Sequence, residues 1–158
     1  MKSIIFQFKT TSKTWTIDTR SKTWAQGPSM RKARNGHGCF SITENGFVTK
    51  VVAVGGDSPH SSGWARTATS EILDIQSLQW KNLPNLPFAV AHNKGVESVT
   101  GPYLGFTVGG YSDWSERRIF GLRQVGYNNY RWEQVKSLTT GRYRHSVVNA
   151  PVSLVPSC

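Results

Sequence analysis

Two double glycines, Gly55-Gly56 and Gly109-Gly110, stand 54 positions apart, and each closes a short apolar run that ends in valine, Val54 and Val108. Each is followed by a second strand-like run and then a tryptophan, Trp80 and Trp132; Trp24 marks the same position one period earlier. A histidine follows each of these three tryptophans at a near-constant distance. Trp24 to His37 is 13 positions, Trp80 to His92 is 12, and Trp132 to His145 is 13. Self-similarity at a fixed period marks a repeat architecture, in which one supersecondary unit cannot bury its apolar face alone and stacks on the next.

The units are built of strands. Lys50-Val51-Val52-Ala53-Val54 has the composition of a strand buried on both faces, and Pro102–Val108 repeats it. Glu71–Ile75 and Arg118–Leu122 follow as further strands, then a turn, then Gln79–Leu83 and Arg131–Val135. Thr14–Asp18 with Thr23–Ala25 is an earlier copy, since Asp18 to Trp24 and Asp74 to Trp80 are both 6 positions. Gly38–Ile42, Gly95–Val99 and Ser146–Val148 open the units. No segment of ten or more residues carries a clean helical period. Four short antiparallel strands, a to d, in a unit of roughly 50 residues make one propeller blade. The expected fold is all-β. A partial blade one covers about 1–26, blade two about 37–83 and blade three about 93–136, with 143–150 as the first strand of a further blade.

These residues resemble the kelch repeat. The features shared are the double glycine after strand b, the acidic residue before strand c in the second copy, and the tryptophan of strand d. The Arg-x-x-His entry to strand a at Arg34–His37 and Arg142–His145 is shared too. The chain departs from the pattern at Ala89, where an arginine would precede His92. It also departs at Gln7-Phe8, where glycines would stand, and at Leu73 and Phe120, where tyrosine is common. The resemblance implies a kelch-type β-propeller fragment of about three four-stranded antiparallel blades. It also implies a protein–protein interaction module, of the kind that recognises ubiquitin-ligase substrates or binds actin within a longer protein. The alternative on the same fold is a propeller enzyme acting on a sugar or small molecule. Closed propellers take about four to eight blades. Three blades are therefore expected to be part of a longer propeller or a truncated gene product, or two chains join head to tail as a homodimer of about six blades.

The chain has 158 residues and a net charge of +10. Such a balance favours acidic partners. The basic residues are scattered, with local clusters only at Arg31-Lys32-Ala33-Arg34, Arg117-Arg118 and Arg142-Tyr143-Arg144. That spread speaks for a solvated basic surface and an acidic protein or peptide partner, and against nucleic acid. No apolar run approaches the length of a membrane span. Two cysteines, Cys39 and Cys158, and no signal-like start suggest a reducing, cytoplasmic setting. Cys39 is expected to be a buried small apolar residue and Cys158 to be unbridged.

Motifs for catalysis are lacking: neither a Gly-x-Ser-x-Gly elbow nor His-Glu-x-x-His occurs. No catalytic residue, cofactor or metal is expected. His37, His92 and His145 recur in step and so read as blade packing rather than ligands, as do Trp24, Trp80 and Trp132. The double glycines do not open a helix, so they mark positive φ or close backbone approach rather than a phosphate loop. Strands b and d end on one face of a blade, and the b–c and d–a loops share it. Loops on a rigid scaffold commonly carry recognition. The expected partner-binding residues are Arg31, Lys32, Trp64, Arg66, Tyr111, Trp114, Arg117, Arg142, Tyr143 and Arg144. Arginine beside aromatic residues is the composition of interaction hot spots. The competing view is that Trp64 and Trp114 fold down onto neighbouring blades and that Arg34 and Arg142 are structural.

Overall fold

A computed structural model describes residues 10–150 and the backbone of 2–6. Gln7-Phe8 and Cys158 lie outside the described residues. Among those described there is no helix, and none therefore is long and apolar enough to cross a membrane. Blade one holds three antiparallel strands, β1 (Lys2–Phe6), β2 (Thr14–Asp18) and β3 (Thr23–Gln26). In blade two, β4 (Gly38–Glu44) pairs with β5 (Phe47–Val54). A separate hairpin follows, β6 (Asp57–His60) with β7 (Gly63–Arg66). The blade then resumes with β8 (Ser70–Asp74) and β9 (Gln79–Leu83), in the order β4-β5-β8-β9. Blade three is β10 (Lys94–Glu97), β11 (Tyr103–Val108), β12 (Arg118–Gly126) and β13 (Asn129–Ser137), in simple meander order. β4 packs against β10 and β11, so the first strands of adjacent blades sit together.

Burial follows from the period of a strand. Val51 and Ala53 of β5 pack with Met30, Leu73 and Trp80 in one core cluster, whereas Val52 joins Phe40, Ile72, Leu122 and Tyr130 on the opposite face. The four residues from Val51 to Val54 are all buried, as expected for a strand covered on both sides. Both physical demands read from the double glycines are present. Gly55 and Gly110 have φ of 70° and 114°, and a Cβ on Gly55 would lie 2.5 Å from the Val90 carbonyl oxygen.

The joints between blades repeat in detail. Asn35 and Asp57 exchange two main-chain hydrogen bonds of 2.9 and 2.7 Å at the first joint, and Ala91 and Tyr111 exchange bonds of 3.0 and 2.7 Å at the second. The Trp80 indole donates to the Pro28 carbonyl at 2.9 Å, and that of Trp132 to the Pro84 carbonyl at 3.1 Å. Trp24 differs from the expected packing role. It is 54% exposed, because no blade precedes it among the described residues to offer the matching carbonyl.

These bonds also correct the register of the histidines. The Gly36 carbonyl accepts from His92 N–H, and the His92 carbonyl from Arg144 N–H. All three residues have left-handed φ, 62°, 55° and 54°. His92 thus matches Gly36, and the residues equivalent to His37 and His145 are not His92 but Asn93. The Asn93 amide bridges the Val54 carbonyl and the Thr107 hydroxyl. Likewise Val90, not Ala89, stands where Arg34 stands. In blade two Arg34 is fully buried and donates to the Gly55 and Thr69 carbonyls at 2.6 and 3.0 Å and to the Glu71 carboxylate at 2.5 Å. In blade three the strand register puts Phe120, which pairs with Thr107, at the position that Glu71, paired with Ala53, holds in blade two. Val90 and Phe120 pack in one apolar cluster with Val54 and Leu86. The arginine and its carboxylate are replaced together.

Two further expectations are corrected. Residues 143–150 hold no strand; a first strand gains its hydrogen bonds from a second, and among the described residues no such strand follows. Cys39 is a free, exposed thiol rather than a buried apolar residue, because alternate residues of β4 face away from the core.

Candidate functional site

The b–c loops of blades two and three and the d–a loop between them enclose a cleft of about 560 Å³. Trp64 on the β6–β7 hairpin and Trp114 in the next b–c loop line it and are 63% and 67% exposed. They do not fold down onto the blades. The hairpin positions Trp64: Pro59 pairs with Trp64 and His60 with Gly63. It turns through Ser61-Ser62 and Gly63, whose φ is 114°.

Arg66 leaves the same hairpin. Its guanidinium lies 5.1 Å from the centre of the Tyr111 ring and donates to Asp113 at 3.1 Å. Tyr111 in turn packs on Tyr143 with ring centres 5.6 Å apart. Across the cleft Arg118 lies 3.7 Å over the Phe88 ring and makes a two-pronged contact with Glu116, 2.8 Å from Nε and 2.6 Å from Nη2. Main-chain N–H groups of Arg117 and Arg118 also donate to Glu116.

Glu116 is buried, and its hydrogen bond from Arg118, aided by those main-chain donors, holds its carboxyl down to about 2 against the cost of burial. A carboxyl depressed on folding contributes stability that is complete above its unfolded value near 4.5 and is lost as pH falls towards 2. Acid titration of stability is therefore expected to show a decline over that window. Glu116→Gln should shrink the decline, as measured by urea midpoints from pH 6 to 2.

Of the ten residues read from the sequence, Trp64, Arg66, Tyr111, Trp114 and Tyr143 gather at or beside this cleft. Arg31 and Lys32 lie at a separate cleft of about 380 Å³ beside Glu71 and Asn82. Their main-chain N–H groups donate to Glu71 at 2.6 and 3.1 Å, and Lys32 Nζ donates to the Thr67 hydroxyl. Arg117 donates to the Leu138 carbonyl of its own blade. Arg142 and Arg144 are exposed beyond the last strand. Sequence reasoning missed Phe88, Arg118, Asp57 and Asp113 on the cleft walls. The signal for Arg118 was its place two residues after a glutamate at the mouth of strand c. The charged groups of the cleft nearly cancel, with Arg66 and Arg118 against Asp57 and Asp113, although the chain carries +10. Among the described residues no three His, Cys, Asp or Glu side chains converge as a metal site.

Stacked antiparallel sheets with adjoining first strands define the class: an all-β, β-propeller-like fold. A solved structure of YjhT has a similar fold, with a TM-score of 0.60 and 14% identity over 83% of this chain and 45% of that chain. This chain thus spans less than half the length of that protein. No family model matches the chain, and no curated protein does.

Proposed function

We propose that the protein is a kelch-repeat interaction module of the cytoplasm, without enzymatic activity, and that the cleft between blades two and three takes an acidic peptide or the acidic edge of a partner protein. The supporting observation is the pair of tryptophans left exposed on one cleft whose walls also carry Arg66 and Arg118, each arginine lying over an aromatic ring. Exposed indoles on a rigid rim present large, pre-ordered apolar area, and arginine binds carboxylates through parallel hydrogen bonds. The Arg66–Asp113 pair is on the surface, and its Asp113 side chain is 78% exposed. Such pairs are worth about 0–1 kcal/mol, so an incoming carboxylate displaces Asp113 at little cost.

The test uses fluorescent acidic peptides, each with one aromatic residue, in anisotropy titrations at two salt concentrations. Trp64→Ala and Trp114→Ala are expected to weaken binding by about tenfold or more with the thermal midpoint unchanged. Asp113→Asn should strengthen binding severalfold by freeing Arg66. Affinity indifferent to both tryptophans would refute the proposal. A polyanionic nucleic acid that outcompetes the peptides with a steep salt dependence would replace it with a phosphate-binding role.

A further inference from the structure

We propose that the outer face of blade three is a receptor for one more propeller blade, and that the blade it accepts carries an acidic residue at the position of Glu71 and a tryptophan at the position of Trp80. This stands independently of the cleft.

The two existing joints define what one blade asks of the next. Each d–a loop offers a residue whose main chain forms a two-bond bridge to the residue after the next double glycine: Asn35 to Asp57, then Ala91 to Tyr111. It also offers a carbonyl, Pro28 or Pro84, to the next tryptophan. One position before the bridging residue, its side chain enters the next blade beside strand c: Arg34 meets Glu71, and Val90 meets Phe120. The loop after β13 carries the same set. Gly110 N–H donates to the Arg142 carbonyl as Gly56 N–H donates to that of Val90. Arg142 therefore holds the Arg34 position and Tyr143 the bridging position. Ser137 follows the residue opposite Ile119, as Pro84 follows the residue opposite Ser70.

Nothing among the described residues completes the set. No carboxylate meets the exposed Arg142 guanidinium, and the Tyr143 N–H has no main-chain acceptor. From Thr139 to Ala150 there are two arginines, one histidine and no acidic residue. A guanidinium that becomes buried as Arg34 is needs a carboxylate opposite. The joint with Val90 shows the apolar alternative, and Arg142 rules it out here. The chain's own first blade does not fit. Its strand register puts Trp15 at the position of Glu71, so a second copy would bring Trp24 to the joint but no acid. The occupant is an acidic blade of another kind.

The test fuses a second copy of residues 38–83 in frame after His145, in place of residues 146–158. That copy brings Gly55-Gly56, Glu71 and Trp80 to the joint. Arginine labelling by phenylglyoxal is read residue by residue with mass spectrometry, beside thermal unfolding. In the parent chain Arg142 is expected to label and Arg34 to be protected. In the fusion, labelling of Arg142 should fall by about tenfold or more, and the thermal midpoint should rise. Glu71→Gln or Glu71→Trp within the appended copy should restore labelling and lower the midpoint. Three outcomes would overturn the proposal: an appended copy that adds no β-sheet signal by circular dichroism, Arg142 labelling indifferent to the appended Glu71, or a parent chain that dimerises with Arg142 protected. The last would make blade one of a second copy the occupant.

Discussion

Glu71→Ala is expected to cost about 3–5 kcal/mol of folding free energy, the cost of leaving a buried charge without its partner. Arg34 is fully buried and Glu71 nearly so, and the guanidinium loses the carboxylate that balances its charge. The main-chain N–H groups of Arg31 and Lys32 lose their acceptor in the same step, which adds to the loss. Arg34→Val with Glu71→Phe transplants the solution already present at the second joint, where Val90 and Phe120 pack in an apolar cluster. Replacing a buried ion pair by well-packed apolar groups is often neutral or stabilising. The double variant should therefore recover about 2 kcal/mol or more of the single variant's loss, falling short of full recovery because the two N–H groups stay unpaired. Urea denaturation of the parent, Arg34→Val, Glu71→Phe and the double variant measures the coupling, with Glu71→Ala alongside. A Glu71→Ala cost below about 1 kcal/mol would mean that the pair is not buried as described.

Trp80→Ala and Trp24→Ala should differ sharply although the two residues hold one position in successive blades. Trp80 is 6% exposed, packs on Met30 and Val51, and donates to Pro28 across the joint. Its truncation removes core contacts and the indole bond across the joint, leaving the Pro28 carbonyl with the Thr14 hydroxyl, at about 3–5 kcal/mol. Trp24 is 54% exposed, and its truncation should cost about 1 kcal/mol or less. Equal losses at the two positions would show that blade one is covered by something outside this chain's described residues. The contrast reads the joint rather than the residue type.

The strands and their order were legible because the double glycines and the tryptophans carry the period on their own. Val51 to Val54 announced a strand covered on both faces by composition alone. The exact register of the joints was legible only in a spacing. Trp24 to His37 and Trp132 to His145 are 13 positions, and the 12 positions from Trp80 to His92 signalled that Asn93 is the matching residue. Histidine drew attention as a residue type, whereas the backbone demanded a left-handed residue followed by a buried polar one. The β6–β7 hairpin was not legible. Pro59 and the serines beside it read as a loop, and a hairpin with proline on an edge strand is permitted by geometry rather than signalled by composition. Half of the candidate site followed from placing loops on one face. The rest, Phe88 with Arg118 and the two aspartates, depends on how neighbouring blades lean together, which no local pattern encodes.

Amide hydrogen exchange across the joints tests the stacked-blade arrangement most directly. The Asp57 and Tyr111 N–H groups donate to the Asn35 and Ala91 carbonyls of the preceding loop. They are expected to exchange as slowly as Val52 in the middle of β5, while Tyr143 N–H, with no main-chain acceptor among the described residues, exchanges fast. Fast exchange at Asp57 and Tyr111 alongside a protected Val52 would describe blades that form singly and do not stack, and would contradict the account.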